Sequence, residues 1–145
     1  MILSTDYAGI RFMQDHVTGT PTIVEGHVGE YRWGARYSIY TGQPTVVGWS
    51  WHVRQHNSLL PGAVIERRIA EVNDFYNTAD SQAAWEFLRR YQVEYIVAGD
   101  LERALYSAEG MNKFAEWVKQ GWVQEVFSRR QGASLVTIYK VVYSP

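Results

Sequence analysis

The sequence predicts an α/β fold: a three-layer α/β/α sandwich around a mostly parallel sheet of about five strands, closed by a C-terminal antiparallel hairpin. Three observations carry this. Short β-branched runs (Thr22-Ile23-Val24, Thr45-Val46-Val47 and residues 93–98) alternate with stretches of helical periodicity, the pattern of a layered domain with parallel strands. Two further β-rich runs, residues 122–127 and 134–142, flank the polar stretch Ser128-Arg129-Arg130-Gln131-Gly132-Ala133, as a hairpin requires. The chain has 145 residues, 46% of them hydrophobic, which is enough for one domain with a real core.

Taken in order, Ser4 or Thr5 can cap a first helix reaching to about Val17, with Ile10, Met13 and Val17 on one face. Thr18-Gly19-Thr20-Pro21 stops it, and Thr22-Ile23-Val24 reads as a short buried strand. Gly26 and Gly29 turn the chain into a second helix over residues 30–40, ended by Thr41-Gly42. Pro44 introduces the second strand, Gly48 breaks it, and residues 49–56 suit a short helix or ordered loop. A loop over 57–62 follows. Residues 64–76 are expected to be partly helical, since Ile65, Ile69 and Val72 keep helical spacing. Asn77-Thr78-Ala79-Asp80 starts a helix over 81–91, with Ala84, Phe87, Leu88 and Tyr91 on one side. Residues 93–98 form the strongest strand, and Gly99-Asp100 opens a helical stretch to Tyr106. Residues 111–120 are amphipathic, with Phe114, Trp117 and Val118 inward, and Gly121 ends them.

Composition narrows the function classes. Net charge is -1, so no bulk attraction to nucleic acid or anionic lipid is expected. With no cysteine, disulfides, thiol catalysis and Cys-ligated zinc are excluded. No apolar run reaches the roughly 18 to 20 residues of a membrane span, and Met1-Ile2-Leu3 passes directly into Ser4-Thr5-Asp6 without a signal peptide. That abrupt start, with Ser144-Pro145 trailing the last strand, is expected of a piece of a larger protein.

The densest chemistry lies in residues 26–56, which hold three of the six tryptophans, three of the four histidines, three arginines and three tyrosines. Such side chains are costly to bury without partners and recognise polar or sugar-like ligands. Trp33, Trp49 and Trp51 with Arg32, Arg36 and Arg54 form the strongest set: rings stack on sugars, and guanidinium forks grip carboxylate or phosphate. An Arg–Trp stack closing the core is the equal alternative. In parallel sheets ligands sit beyond the carboxyl ends of strands, which singles out residues 25–30 and 99–103. Gly26-His27-Val28-Gly29 lacks the G-x-G-x-x-G spacing, and Glu30 opposes an anion, so a tight turn is expected there ahead of a phosphate site. His52 and His56 lie four apart but lack a third ligand and an H-E-x-x-H motif, so no metal site is expected. Asp100 and Glu102, beside Arg103, offer a carboxylate pair for acid–base work. Acids favoured by a helix N-terminus explain them more simply. No G-x-S-x-G and no Ser–His–Asp set is recognisable, and Arg129-Arg130 suits a solvated hairpin tip.

Several runs resemble one family. They are Gly19-Thr20-Pro21 to Glu25, Tyr31-Arg32-Trp33-Gly34-Ala35-Arg36, Tyr40-Thr41-Gly42-Gln43-Pro44-Thr45 and Gly48-Trp49-Ser50-Trp51-His52. Tyr91-Gln92-Val93-Glu94-Tyr95-Ile96-Val97 joins them with Gly99, Leu101-Glu102-Arg103, Tyr106 and Lys113-Phe114. Together they look like the signature of the YYY membrane proteins, bacterial and archaeal polytopic proteins, over residues 6–139. That family is similar to the GT-C class of integral-membrane glycosyltransferases, which use lipid-phosphate-linked sugars and often end in a soluble extracytoplasmic domain. The resemblance implies that residues 1–145 are one such C-terminal domain of a cell-membrane protein. Its partners would be its own transmembrane portion and a lipid-phosphate sugar or glycan, with no nucleic acid. No catalytic carboxylate of the membrane loops falls within this chain, so no catalytic residue is assigned. The resemblance implies no cofactor here and leaves room for a divalent metal in the membrane portion.

On this reading Arg32, Arg36 and Arg54 contact phosphate or carboxylate, and Trp33, Trp49 and Trp51 stack on sugar. Glu25 and His52 hydrogen-bond hydroxyls, and His27, Glu102 and Arg103 complete the candidate set. Two alternatives stand beside it: a domain that only docks on its own membrane helices, and a free-standing soluble α/β enzyme.

Overall fold

The computed structural model describes residues 4–17, 19, 21–26, 46 and 62–143. The first helix, α1 (Ser4–His16), leads to the short strand β1 (Thr22–Val24). Helices α2 (Gly62–Asn77) and α3 (Ser81–Tyr91) precede β2 (Val93–Ala98). Then come α4 (Asp100–Leu105) and α5 (Ala108–Gln120), and the hairpin of β3 (Val123–Gln131) and β4 (Ser134–Val141) closes the chain. The helix expected over 30–40, the short helix or ordered loop over 49–56 and residues 57–61 of the following loop lie outside the described residues, and Gly62, expected in that loop, begins α2. The second strand also lies outside them, apart from Val46, which is buried and donates its N–H to Ile23 O at 3.3 Å.

Local chemistry sets the boundaries. Asp80 caps α3, its Oδ1 accepting from Gln82 N at 3.0 Å and Ala83 N at 3.3 Å, which satisfies two of the helix's free donors. Gln92 ends α3 in the left-handed conformation, and Gly121 ends α5 the same way at φ 78°, a conformation that costs glycine little. Ser107 caps α5 by accepting from Gly110 N at 3.0 Å.

The α/β class is observed, with helices on both faces of the sheet and the antiparallel hairpin at the C-terminus. Among the described residues the sheet has four strands in the order β1-β2-β4-β3. Only β1 and β2 are parallel, whereas β2–β4 and β3–β4 are antiparallel. The sheet is therefore mixed where a mostly parallel one was expected, because β4 inserts between β2 and β3 and the hairpin supplies half the strands. One face packs on α1 through Ile10, Met13, Ile23, Val97, Val136 and Ile138. The other packs on α2, α3 and α5 through a larger layer that includes Phe75, Tyr76, Leu88, Ile96, Phe114 and Trp117.

Two bulges change which residues face each layer. Thr22 pairs with Val93 and Ile23 with Tyr95, which leaves Glu94 as an extra residue. Glu125 pairs with Tyr139 and Phe127 with Ile138, which leaves Val126 extra. Each extra residue reverses the alternation beyond it. Val93 and Val123 thus face the larger layer while Tyr95 and Phe127 face α1, where Phe127 stacks on Phe12 at 5.0 Å.

Two local expectations are corrected. Val118 is 39% exposed, because Phe114 and Trp117 define the buried stripe of α5 and Val118 lies at its margin. The hairpin loop shrinks to Gly132-Ala133, with Gly132 at φ 63°. Arg129 and Arg130 belong to β3, whose polar residues line the end of the described sheet, where a strand needs no apolar alternation.

Candidate functional site

Because β1 and β2 are parallel neighbours, the segments after them leave from the same end of the sheet. That brings together the two loops singled out from the sequence, at Glu25–Gly26 and at Gly99–Arg103. The last ladder pair is Val24 with Ile96. Beyond it, side chains take over the backbone groups. The Tyr76 hydroxyl, carried by α2 and fully buried, donates between Val97 O at 2.7 Å and Val24 O at 3.1 Å. The Glu102 carboxylate, from α4 and also fully buried, accepts from Gly26 N at 2.7 Å through Oε2 and from Gly99 N at 2.8 Å through Oε1.

Sequence and geometry agree at each of these positions. Glu102 is the third residue of α4 and reaches back to the N–H of the Gly99 cap, one half of a capping box. Its other oxygen crosses to the neighbouring loop. A Cβ on Gly26 would stand 3.0 Å from Glu102 Oε2 and 3.4 Å from Leu105 Cδ1, so glycine is what lets the carboxylate come this close. Tyr76 is held flat against Tyr106, with centroids 4.7 Å apart and planes 7° from parallel. The Tyr106 hydroxyl in turn donates to Asn73 Oδ1 at 2.9 Å.

A second set of bonds ties α4 to the start of β4. Asp100 Oδ1 accepts from Leu135 N at 3.0 Å, and its Oδ2 accepts from the Ser134 hydroxyl. Ser134 also meets Thr5 Oγ1 of α1 at 2.6 Å. Arg103 donates to Ala98 O at 3.2 Å, to Asp100 Oδ1 at 3.4 Å and to Leu135 O. The carboxylates of Asp100 and Glu102 thus both accept structural hydrogen bonds, and their geometry is that of a helix start, the simpler of the two readings of the sequence. The Gly26 N–H, the first donor of the candidate phosphate turn, is already engaged by a carboxylate.

Of the candidate residues, the structure brings together Glu25, Glu102 and Arg103. Glu25 is buried, at 4% exposure, and Arg103 is partly exposed. His27, Arg32, Trp33, Arg36, Trp49, Trp51, His52 and Arg54 lie outside the described residues. The segment that carries them begins at the clamped Gly26.

Sequence reasoning missed Tyr76, Ser134 and Thr5. The available signal was a tyrosine in the apolar stripe of α2, since a buried phenol must find a polar partner. It also gave no role to Lys113. Its ammonium is buried and donates to Gly110 O at 2.8 Å and Tyr76 O at 3.1 Å. It lies 4.6 Å from the Phe114 ring centre and 5.1 Å from that of Phe75. Burial pulls its pKa down to about 7.

A separate open groove of about 500 Å³ runs between α2 and α3, with Glu71, Asp74, Glu86 and Arg90 on its walls. None of the candidate residues among those described lines it. Among the described residues, no group of three His, Asp or Glu could hold a metal ion, and no helix is long and apolar enough to cross a membrane.

No family model matches the chain, and no curated protein matches it. Among solved structures it is similar to the C-terminal globular domain of an oligosaccharyltransferase from Archaeoglobus fulgidus. The TM-score is 0.54 at 11% identity, and the match covers 98% of this chain and 99% of that one. At that identity the likeness is one of fold, and it runs the length of both chains.

Proposed function

We propose that this chain is an extracytoplasmic accessory domain of a GT-C-like membrane glycosyltransferase that uses a lipid-phosphate-linked sugar. One observation carries the reading: its fold matches, along the whole length of both chains, a globular domain taken from an oligosaccharyltransferase. The resemblance to the polytopic YYY proteins points the same way. In this reading residues 26–56 form the ligand surface. Arg32, Arg36 and Arg54 grip phosphate or carboxylate, Trp33, Trp49 and Trp51 stack on sugar, and Glu25 and His52 bond hydroxyls. Transfer chemistry belongs to the membrane portion, which would hold any divalent metal.

Titration of the tryptophan fluorescence with mannose 1-phosphate tests this. A saturable change is expected, lost or weakened by about tenfold or more in Arg36→Ala and Trp51→Ala, because a hydrogen bond to a charged group contributes about 1.5–3 kcal/mol and about 1.4 kcal/mol is a factor of ten. No response to sugar phosphates or to neutral glycans would reject a ligand surface.

A second reading is favoured by the filled space between the strand ends. Tyr76 and Glu102 already occupy the place where an α/β sheet ordinarily receives a ligand. Residues 26–56 would then dock the domain onto its own membrane portion. The same two substitutions in the full-length protein separate the readings: loss of assembly supports docking, and loss of activity in an assembled protein supports a ligand surface.

A further inference from the structure

We infer that the groove at the turn from α3 into β2 is a second ligand site, one that takes a small zwitterion, a molecule carrying both an ammonium and an oxyanion. The groove has a volume of about 660 Å³ and is lined by Pro21, Thr22, Arg89, Gln92, Glu94 and Tyr143, which lies within the size range of small-molecule sites. It opens where β1 and β2 begin, at the end of the sheet opposite Glu102 and Gly26. Every lining residue lies outside the 26–56 segment, so the assignment goes beyond the functional reading above and does not rest on it.

Local structure aims these side chains. Gln92 ends α3 in the left-handed conformation at φ 52°, and Glu94 is the extra residue of the β1–β2 bulge. A bulge turns a side chain out of its regular alternation, and both irregular residues line the groove. Tyr143 forms a fixed wall. Its hydroxyl donates between Leu88 O at 2.8 Å and Val93 O, yet the residue is 37% exposed. Burial first, and then the Glu94 carboxylate, push this phenol up to about 12, while the Arg89 guanidinium pulls it down, so both charges act on one ring. Arg89 and Glu94 are exposed, and among the described residues neither enters an ion pair. A groove that keeps opposite charges apart offers one to each end of a zwitterion. The Arg89 fork suits a carboxylate or phosphate, and Glu94 with the Tyr143 ring suits an ammonium. Gln92 and Thr22 add an amide and a hydroxyl for the remaining polar atoms.

Phosphoethanolamine and alanine share that chemistry and stand for its two sources, a lipid headgroup and a free amino acid. The amide NMR shifts of the chain would be followed during titration with each, beside ethanolamine, inorganic phosphate, acetate and glucose. At least one zwitterion is expected to shift Gln92 and Glu94 saturably and to bind about tenfold or more tighter than the singly charged compounds, since it alone engages both Arg89 and Glu94. A response to phosphoethanolamine alone assigns the site to a headgroup, and a response to alanine alone assigns it to an amino acid. Arg89→Ala and Glu94→Gln are each expected to weaken that binding about tenfold. Both side chains are exposed, so both variants should melt like wild type. If either melts early, Arg89→Lys or Glu94→Asp takes its place, each keeping the charge and losing the reach or the fork, with the same direction of effect. No saturable shift with either zwitterion would overturn the inference. So would a singly charged compound or glucose binding equally well, or folded variants that bind like wild type.

Discussion

Lys113 keeps its ammonium in a place that disfavours charge. Loss of water there pulls its pKa from 10.5 down to about 7, while the faces of Phe75 and Phe114 and two carbonyl acceptors work in the opposite direction. In the unfolded chain the same lysine holds its proton to about pH 10.4. Between those two values the unfolded state binds more protons than the folded one, so stability rises with pH across that window; below it both states are charged and the cost of burial is constant. Urea unfolding is expected to show a gain of roughly 2 kcal/mol between pH 7 and pH 9 from this residue. Lys113→Met, which keeps length and removes the titration, should flatten that slope, and an unchanged slope in the variant would assign the pH dependence elsewhere. A lysine at this position reads from sequence as the polar margin of an amphipathic helix. Its burial follows from where α5 meets the end of α2, which helical spacing alone does not encode.

That meeting point is set by one glycine. A Cβ on Gly110 would fall 2.0 Å from Tyr76 O and 2.6 Å from Asn77 O, so α5 can approach the last turn of α2 only because position 110 has no side chain. Asn77 completes the joint, its Oδ1 accepting from Ser107 N at 2.9 Å and its carbonyl accepting from the Ser107 hydroxyl at 3.0 Å. Gly110→Ala would force the helices apart and pull Tyr76 away from the strand ends. A loss of about 3 kcal/mol is expected for such overpacking, seen as a fall in melting temperature of roughly 10 °C; a fall of a degree or two would show that the joint gives way easily. Elements of this kind were legible to very different degrees. Residues 81–91 carry helical periodicity after a capping cluster, residues 93–98 are a β-rich run, and both fold where expected. For residues 64–76 the expectation of partial helix fell short, because Asn73, Asp74 and Asn77 weaken local propensity and the apolar stripe of Val72, Phe75 and Tyr76 supplies the helix from tertiary packing. At the strand ends, the grouping of residues 25–30 with 99–103 followed from parallel topology, whereas the Glu102 bridge could not, since it joins positions 76 residues apart.

At the scale of the molecule, two apolar layers share one sheet. Ile96 faces the α2, α3 and α5 side, and its neighbour Val97 faces α1, so neither layer can loosen without disturbing β2. Leu88→Ala on one side and Met13→Ala on the other are each expected to cost about 2–5 kcal/mol. Both should shift a single transition in which tryptophan fluorescence and far-ultraviolet dichroism coincide; separate transitions would mean that α1 and its layer melt on their own. The breadth of the fold likeness suits such a unit. One more property follows from the tethers at the edge of β1. The chain departs at Gly26, pinned by Glu102, and at Val46 it is hydrogen-bonded to Ile23, three residues before that departure. Both ends of the excursion are thus anchored on the same short strand. Loosening β1 would therefore release Gly26 and Val46 together, so the two tethers hold or fail as one.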